Sequence, residues 1–243
     1  MPNILLLGGT MEASAMARRL GDRGLAATLS YMGRVERPKP QPIPVRIGGF
    51  GGVPGLVQYL ADQRITHVID ATHPFAAQMS SNAVAACAQT QTPLIALTRP
   101  AWQPVPGDDW QRVPDMAAAV AALAGPPRRI MLAIGRMHLA EFAAQPQHHY
   151  LLRLVDAPTE TPPLPHHTVT IDRGPFSAEA DEALMRAHAI ELIVAKNAGG
   201  TGSVSKLQAA RALNLPVLMI DRPHLPPRHE THDPEEVVRF VSP

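Results

Sequence analysis

The sequence predicts an α/β fold of two Rossmann-like lobes, each a parallel sheet flanked by helices, with a ligand cleft between them. Three observations predict it. Short apolar runs alternate with amphipathic helical runs along nearly the whole chain. The apolar runs are uninterrupted, as in "LLL", "VID" and "LIAL", which is how strands covered on both faces read. One non-periodic stretch, "RPAWQPVPGDDWQRVPD" at 99–115, holds four prolines and both tryptophans and divides the alternation in two. The expected layout is an N-terminal lobe over 1–100, a crossover over 101–115 and a C-terminal lobe over 116–243.

The elements follow in order. "NILLLG" reads as a strand, and Ala13, Met16, Ala17 and Leu20 then form a helical stripe. "LAATLSYM" and "PVRIGGF" read as strands. "VPGLVQYLADQR" reads as a helix with Pro54 in its first turn. "THVID" is a strand, "PFAAQMSSNAVAACAQ" a helix with Pro74 in its first turn and Thr72 or His73 as cap, and "TPLIALT" a strand. Past the crossover, "MAAAVAALA" is helical, "RRIMLAIG" a strand, "RMHLAEFAA" a helix and "HYLLRLV" a strand. "HTVTI" is a short strand, and "SAEADEALMRAHA" a helix capped by Ser177 with acids in its first turn. "IELIVAK" and "PVLMI" are strands on either side of the helix "SVSKLQAARAL". "DPEEVVRFV" closes the chain as a helix.

Composition narrows the function classes. The chain has 243 residues, 45% apolar and 18% charged, with a formal charge of +1, which points to no nucleic acid and no anionic membrane as partner. Aromatics at 4% are too few for a base-stacking surface. The single cysteine, Cys87, excludes an internal disulfide and a cysteine zinc cluster. The expectation is a cytoplasmic protein with no membrane span. No P-loop and no G-x-S-x-G elbow occurs. The histidine pairs His148-His149, His166-His167 and His229/His232 lack the H-E-x-x-H pattern, so no metal is expected.

Chemistry concentrates at strand ends. Gly8-Gly9-Thr10-Met11-Glu12-Ala13 follows the first strand and opens the first helix. It departs from G-x-G-x-x-G, with Thr10 in the second glycine's place and Ala13 in the third's. A glycine turn at a helix N-terminus lets a phosphate reach unsatisfied N–H groups; a plain tight turn is the other reading. In "LSYMGRVERPK" no acid precedes Glu36, whereas Ser30 and Arg34 do, so a bound dinucleotide would be NADP rather than NAD. Asp70, Thr72 and His73 in "VIDATHPFA" fall at the carboxyl edge of the sheet, where a titratable His73 could donate a proton. "VAKNAGGTGSVSK" repeats the strand–glycine–helix theme with Lys196 and Asn197 at its start. Arg136 and Arg173 stand at similar turns, a basic pattern suited to carboxylates or phosphates.

Taken in order, "ILLLGGTMEA", "RIGGFGG", "VIDATHPFA", "RGPF" and "KNAGG…K…AAR" resemble the precorrin-6A reductases of cobalamin biosynthesis. The motifs span residues 4 to about 223. Ala198 departs from the family's usual serine. The resemblance implies NADPH-dependent hydride delivery to C19 of precorrin-6A, giving precorrin-6B. It implies cofactor contacts at Gly8, Gly9, Thr10, Ser30, Arg34, Thr72 and Pro74. Arg136, Arg173, Asn197, Gly199, Gly200 and Lys206 are expected on the polycarboxylate tetrapyrrole. His73, Lys196 and bound water are the candidate proton sources. Transient contact with neighbouring pathway enzymes is a further expectation. Two rivals share the same residues: an NADP-dependent reductase of another polyanionic substrate, and a non-catalytic NADP(H) sensor.

Overall fold

The computed structural model describes residues 2–32, 40–172, 174 and 176–242. The chain divides into two compact units, Met1–Pro100 with His224–Pro243, and Ala101–Pro223. Each is built on a six-stranded sheet whose strand pairs are all parallel. Among the described residues no helix is long and apolar enough to cross a membrane.

In the first unit the strands are β1 (Asn3–Leu7), β2 (Ala26–Tyr31), β3 (Val45–Ile47), β4 (His67–Asp70), β5 (Leu94–Leu97) and β12 (His229–Thr231), in the order β12-β5-β4-β1-β2-β3. Its helices are α1 (Met11–Asp22), α2 (Gly52–Asp62), α3 (Ala77–Thr90) and α7 (Pro234–Val241). Alternate residues of β1 feed two cores. Ile4 and Leu6 pack with Met16 and Leu20 of α1 and with Val237 and Val241 of α7. Leu5 and Leu7 pack with Leu56 and Leu60 of α2 and with Ala83 and Cys87 of α3. That two-sided burial is why the strand reads as an unbroken apolar run.

The second unit contains β6 (Trp110–Val113), β7 (Arg129–Ala133), β8 (His149–Leu154), β9 (His167–Ile171), β10 (Leu192–Lys196) and β11 (Val217–Ile220), in the order β6-β11-β10-β7-β8-β9. Around them are α4 (Met116–Ala121), a 3-10 helix (Arg136–Ala144), α5 (Ala178–Ala187) and α6 (Ser205–Ala212). Met131, Leu151, Ile193 and Met219 form its core with Met185 and Leu207, and both tryptophans pack against it.

The two sheets have one topology. β7 to β11 repeat the order of β1 to β5, and only the sixth strands are exchanged: β6 follows β5 in the chain but pairs with β11, and β12 follows β11 but pairs with β5. This corrects two expectations. The 101–115 segment is not a bare crossover, since it carries β6. The 224–243 segment does not belong with the C-terminal lobe, since it supplies β12 and α7 to the first sheet. Both edge strands, "WQRV" and "HET", have a neighbour on one side only and polar, partly exposed residues, so they lack the apolar signature of central strands. The run "RMHLAEFAA", expected as a helix, is helical and of the 3-10 type.

Cys87 is buried in the first unit, 5% exposed. Burial, then the negative charge of Asp70, pushes its thiol up to about 12 from an ordinary 9.0. The native thiol is therefore expected to resist a thiol-specific reagent at pH 8 and to react once urea unfolds the chain; fast native labelling would contradict this. Because the folded thiol holds its proton more tightly than the unfolded one, its contribution to stability is present below pH 9.0 and is lost as pH rises toward about 12.

Candidate active site

The glycine turn after β1 is shaped by close packing on one side and an open face on the other. A Cβ on Gly8 would lie 2.5 Å from Leu29 Cδ1 and 3.3 Å from Ala13 Cβ, so only glycine lets α1 approach the sheet here. Gly9 has φ +121°, and a Cβ there would meet nothing within 4 Å. Thr10 is the N-cap of α1: its Oγ1 accepts from Ala13 N at 3.0 Å and donates to Ala71 O at 2.8 Å. The threonine hydroxyl is thus committed to the fold, and so is the Gly8 N–H, which donates to Ser30 O at 3.0 Å; an anion at this turn would meet the N–H groups that follow Gly8.

Ser30, at the end of β2, is 5% exposed and accepts from Arg46 Nη1 at 2.9 Å. Arg46 also donates to Gly48 O and Gly49 O, at 2.9 and 3.1 Å, and its guanidinium lies 3.9 Å over the Phe50 ring. It ties the "GGFGG" loop to the carboxyl end of β2. Spacing did not single out Arg46, because its partner sits on the neighbouring strand rather than nearby in sequence. Arg34, expected beside Ser30, lies outside the described residues.

Asp70 ends β4 and is an organising carboxylate. Its Oδ1 accepts from Thr72 N at 3.1 Å and Thr72 Oγ1 at 2.7 Å; its Oδ2 accepts from Ser80 Oγ at 2.6 Å and Arg228 Nη1 at 2.5 Å. Both side chains of the ion pair are buried, 1% exposed for Asp70 and 6% for Arg228. Arg228 was missed because 158 residues separate it from its partner.

The loop that follows differs from the expected cap. α3 starts at Ala77 with Ala76 as N-cap and no side-chain cap bond. Residues 73–76 instead form a separate turn closed by Ala76 N to His73 O at 2.7 Å. Thr72 and His73 therefore do not cap a helix, and Pro74 precedes the helix rather than sitting in its first turn. His73 Nδ1 accepts from Phe75 N at 3.2 Å, which places the proton of the neutral ring on Nε2. Thr10, Glu12, Thr72, Pro74, Thr98 and Arg99 line one pocket, with Arg99 Nη1 donating to Glu12 Oε2 at 2.8 Å. The structure thus brings Gly8, Gly9, Thr10, Thr72 and Pro74 to the carboxyl edge of one sheet, with Ser30 further along it.

In the second unit Gly135, at φ +76°, opens the 3-10 helix and leaves Arg136 exposed at its first position. Lys196 ends β10. Gly199 and Gly200 follow at φ +70° and +71°. Two residues expected on the substrate have partners within the second unit. Asn197 is 5% exposed and pairs with the Trp102 backbone, accepting from its N at 2.8 Å and donating to its O at 3.0 Å. Lys206 is 4% exposed, donates to Ser203 O at 2.6 Å and lies 4.8 Å over the Trp102 ring. Trp102 Nε1 donates to Gly200 O at 2.7 Å, and Arg222 binds the carbonyls of Asn197 and Ala198 at 3.1 and 3.2 Å. Burial of these groups, with polar partners close by, fixes the loop's backbone. Ala198 is 7% exposed. Arg173 lies outside the described residues.

The histidine pairs have structural partners. His148 is 1% exposed, accepts from Arg128 N at 3.1 Å and contacts Leu123 O at 2.7 Å. His149 meets Thr168, His167 meets Leu164 O, and His229 meets Glu236. Burial and surrounding positive charge lower the pKa of His149. Among the described residues no group of three His, Cys, Asp or Glu could hold a metal ion.

This architecture has close relatives. The family model of precorrin-6x reductase CbiJ/CobK matches residues 3–242. A precorrin-6A reductase of Rhodobacter capsulatus is 58% identical over 228 residues, covering 94% of this chain and 91% of the relative. One from Sinorhizobium is 48% identical, covering 91% of this chain and 85% of the relative. A solved structure of CobK precorrin-6A reductase superposes with a TM-score of 0.95 at 55% identity, covering 100% of this chain and 96% of that one. The two parallel six-stranded sheets, the glycine turn and the matched span agree: the chain belongs to the precorrin-6x reductase family, CbiJ/CobK.

Proposed function

We propose that this chain reduces precorrin-6A to precorrin-6B in cobalamin biosynthesis, with NADPH as hydride donor to C19. The observation that carries the cofactor reading is the Gly8-Gly9-Thr10 turn. Its Gly9 faces open space at the head of α1, and Ser30 lies at the end of the next strand, where NAD enzymes place an acid, with Arg46 of β3 bonded to it. These residues fit a dinucleotide phosphate. When bound, NADPH supplies the hydride. The chain's own work is positioning: the turn's N–H groups hold the pyrophosphate, Arg34 with Ser30 and Arg46 takes the 2′-phosphate, and Thr72 and Pro74 hold the nicotinamide half. His73 or Lys196 supplies the proton that completes the reduction. Arg136, Arg173, Gly199 and Gly200 receive the substrate's acetate and propionate groups. Asn197 and Lys206 act by holding that glycine loop in shape. The setting is cytoplasmic, with transient contact to neighbouring pathway enzymes.

The test is consumption of NADPH, followed by its absorbance, with and without precorrin-6A. Equimolar consumption that requires the substrate is expected; tight NADPH binding with no oxidation would make the chain a sensor instead. In the same assay Arg34→Ala is expected to cost roughly 10- to 100-fold in kcat/KM with NADPH, the value of a charge-assisted hydrogen bond, and little with NADH. Equal losses with both cofactors would remove the 2′-phosphate role.

A further inference from the structure

We propose that Thr72 reads the carboxamide of the nicotinamide ring as an obligate hydrogen-bond acceptor, and that Asp70 and Arg228 are positioning residues that impose this polarity. The inference rests on the cofactor reading above. A threonine hydroxyl has one proton to give. That of Thr72 goes to Asp70 Oδ1 at 2.7 Å, and the Thr72 backbone N–H reaches the same oxygen at 3.1 Å. Ser80 Oγ lies 3.3 Å from Thr72 Oγ1, but its own proton is given to Asp70 Oδ2 at 2.6 Å. A carboxylate accepts and never donates, so every bond in the cluster runs toward Asp70. Arg228 adds a permanently charged guanidinium 2.5 Å from Oδ2, with both side chains buried, a donor that only an accepting oxygen can meet. Thr72 is left with lone pairs only for the pocket it lines with Thr10 and Pro74.

The strand order supports which ligand group would arrive there. β1 pairs with β2 on one side and β4 on the other, and a dinucleotide crosses a doubly wound sheet at such a point. The ribose-phosphate end lies over β2, so the nicotinamide half lies over β4, which ends at Asp70. That half carries ribose hydroxyls, which both donate and accept, and a carboxamide N–H, which only donates. An acceptor-only threonine matches the amide and repels a bare carbonyl in its place.

Isothermal titration calorimetry with NADP⁺ and its 3-acetylpyridine analogue, which keeps the carbonyl and lacks the amide nitrogen, separates these cases. The wild type is expected to bind NADP⁺ roughly tenfold more tightly than the analogue, the value of one hydrogen bond. Thr72→Val should bring the ratio to about 1, and Thr72→Ser should keep it. Arg228→Met should erode the ratio and Arg228→Lys should retain it, a dependence that a purely structural arginine would not produce. The Thr72 series decides the matter even where Arg228→Met does not fold. Equal binding of the two dinucleotides by the wild type, or an unchanged ratio in Thr72→Val, would overturn the proposal and point to a ribose hydroxyl while leaving the cofactor reading intact. Failure of both to bind would remove the cofactor reading and this inference together.

Discussion

Asp181→Ala is expected to destabilise the second unit by about 3–5 kcal/mol, because it leaves a buried charge without its counterion. Arg153, on β8, and Asp181, on α5, form an ion pair whose side chains are 8% and 1% exposed. Ser205, the first residue of α6, donates to the other carboxylate oxygen at 2.7 Å, so one aspartate joins a strand and two helices. The Arg153 guanidinium lies 3.9 Å over the Phe176 ring, which holds its position but cannot neutralise it. Pairing Asp181→Leu with Arg153→Met should recover much of the loss, since an apolar pair removes the desolvation cost along with the attraction. Both tryptophans, Trp102 and Trp110, belong to this unit, so their fluorescence during urea unfolding reports the affected part. A shift worth less than about 1 kcal/mol for Asp181→Ala would show that Arg153 is satisfied without the aspartate.

The second large effect is on cofactor binding. Gly9→Val is expected to weaken NADPH binding by about 100-fold, roughly 3 kcal/mol, while leaving the fold in place. The backbone at φ +121° is one that side-chain-bearing residues adopt only under strain, at a cost of about 1–3 kcal/mol. The added atoms would meet no protein within 4 Å of the Cβ; they would occupy the face proposed for the phosphates. Gly8→Ala should cost a similar amount of stability but largely spare affinity. Its Cβ would sit 2.5 Å from Leu29 Cδ1, so about 1–3 kcal/mol of stability is lost to overpacking, with a smaller change in affinity. Titration of NADPH against thermal melting separates the two variants. A Gly9→Val protein that binds as tightly as wild type would place the pyrophosphate elsewhere.

Legibility in the sequence followed burial and proximity. β1, β4, β7 and β10 were readable because both faces of each sheet are covered, which turns a strand into an apolar run. Thr10 was found as part of a motif, but the fate of its hydroxyl depended on Ala71, brought alongside only by the pairing of β1 with β4. β6 and β12 were missed because an edge strand needs little apolar character. Nothing local predicts that Arg228 completes the Asp70 cluster, that Arg46 rests on Ser30, or that Asn197 is bound to Trp102. Each of those pairs is made by topology, and the first also depends on the exchanged C-terminal segment. Gly55 is a similar case. A Cβ there would collide with Phe50 O, so the glycine is what lets the "GGFGG" loop close over the start of α2.

The central claim is that this chain transfers hydride from NADPH to the precorrin-6A macrocycle. NADPH carrying deuterium at both C4 positions of the nicotinamide, mixed with the purified chain and precorrin-6A, tests it directly by the mass and NMR spectrum of the product. The account predicts a product that carries a single deuterium, at C19, taken from the cofactor. A reduced product with no cofactor-derived deuterium, or labelled cofactor left intact beside unreduced substrate, would contradict it.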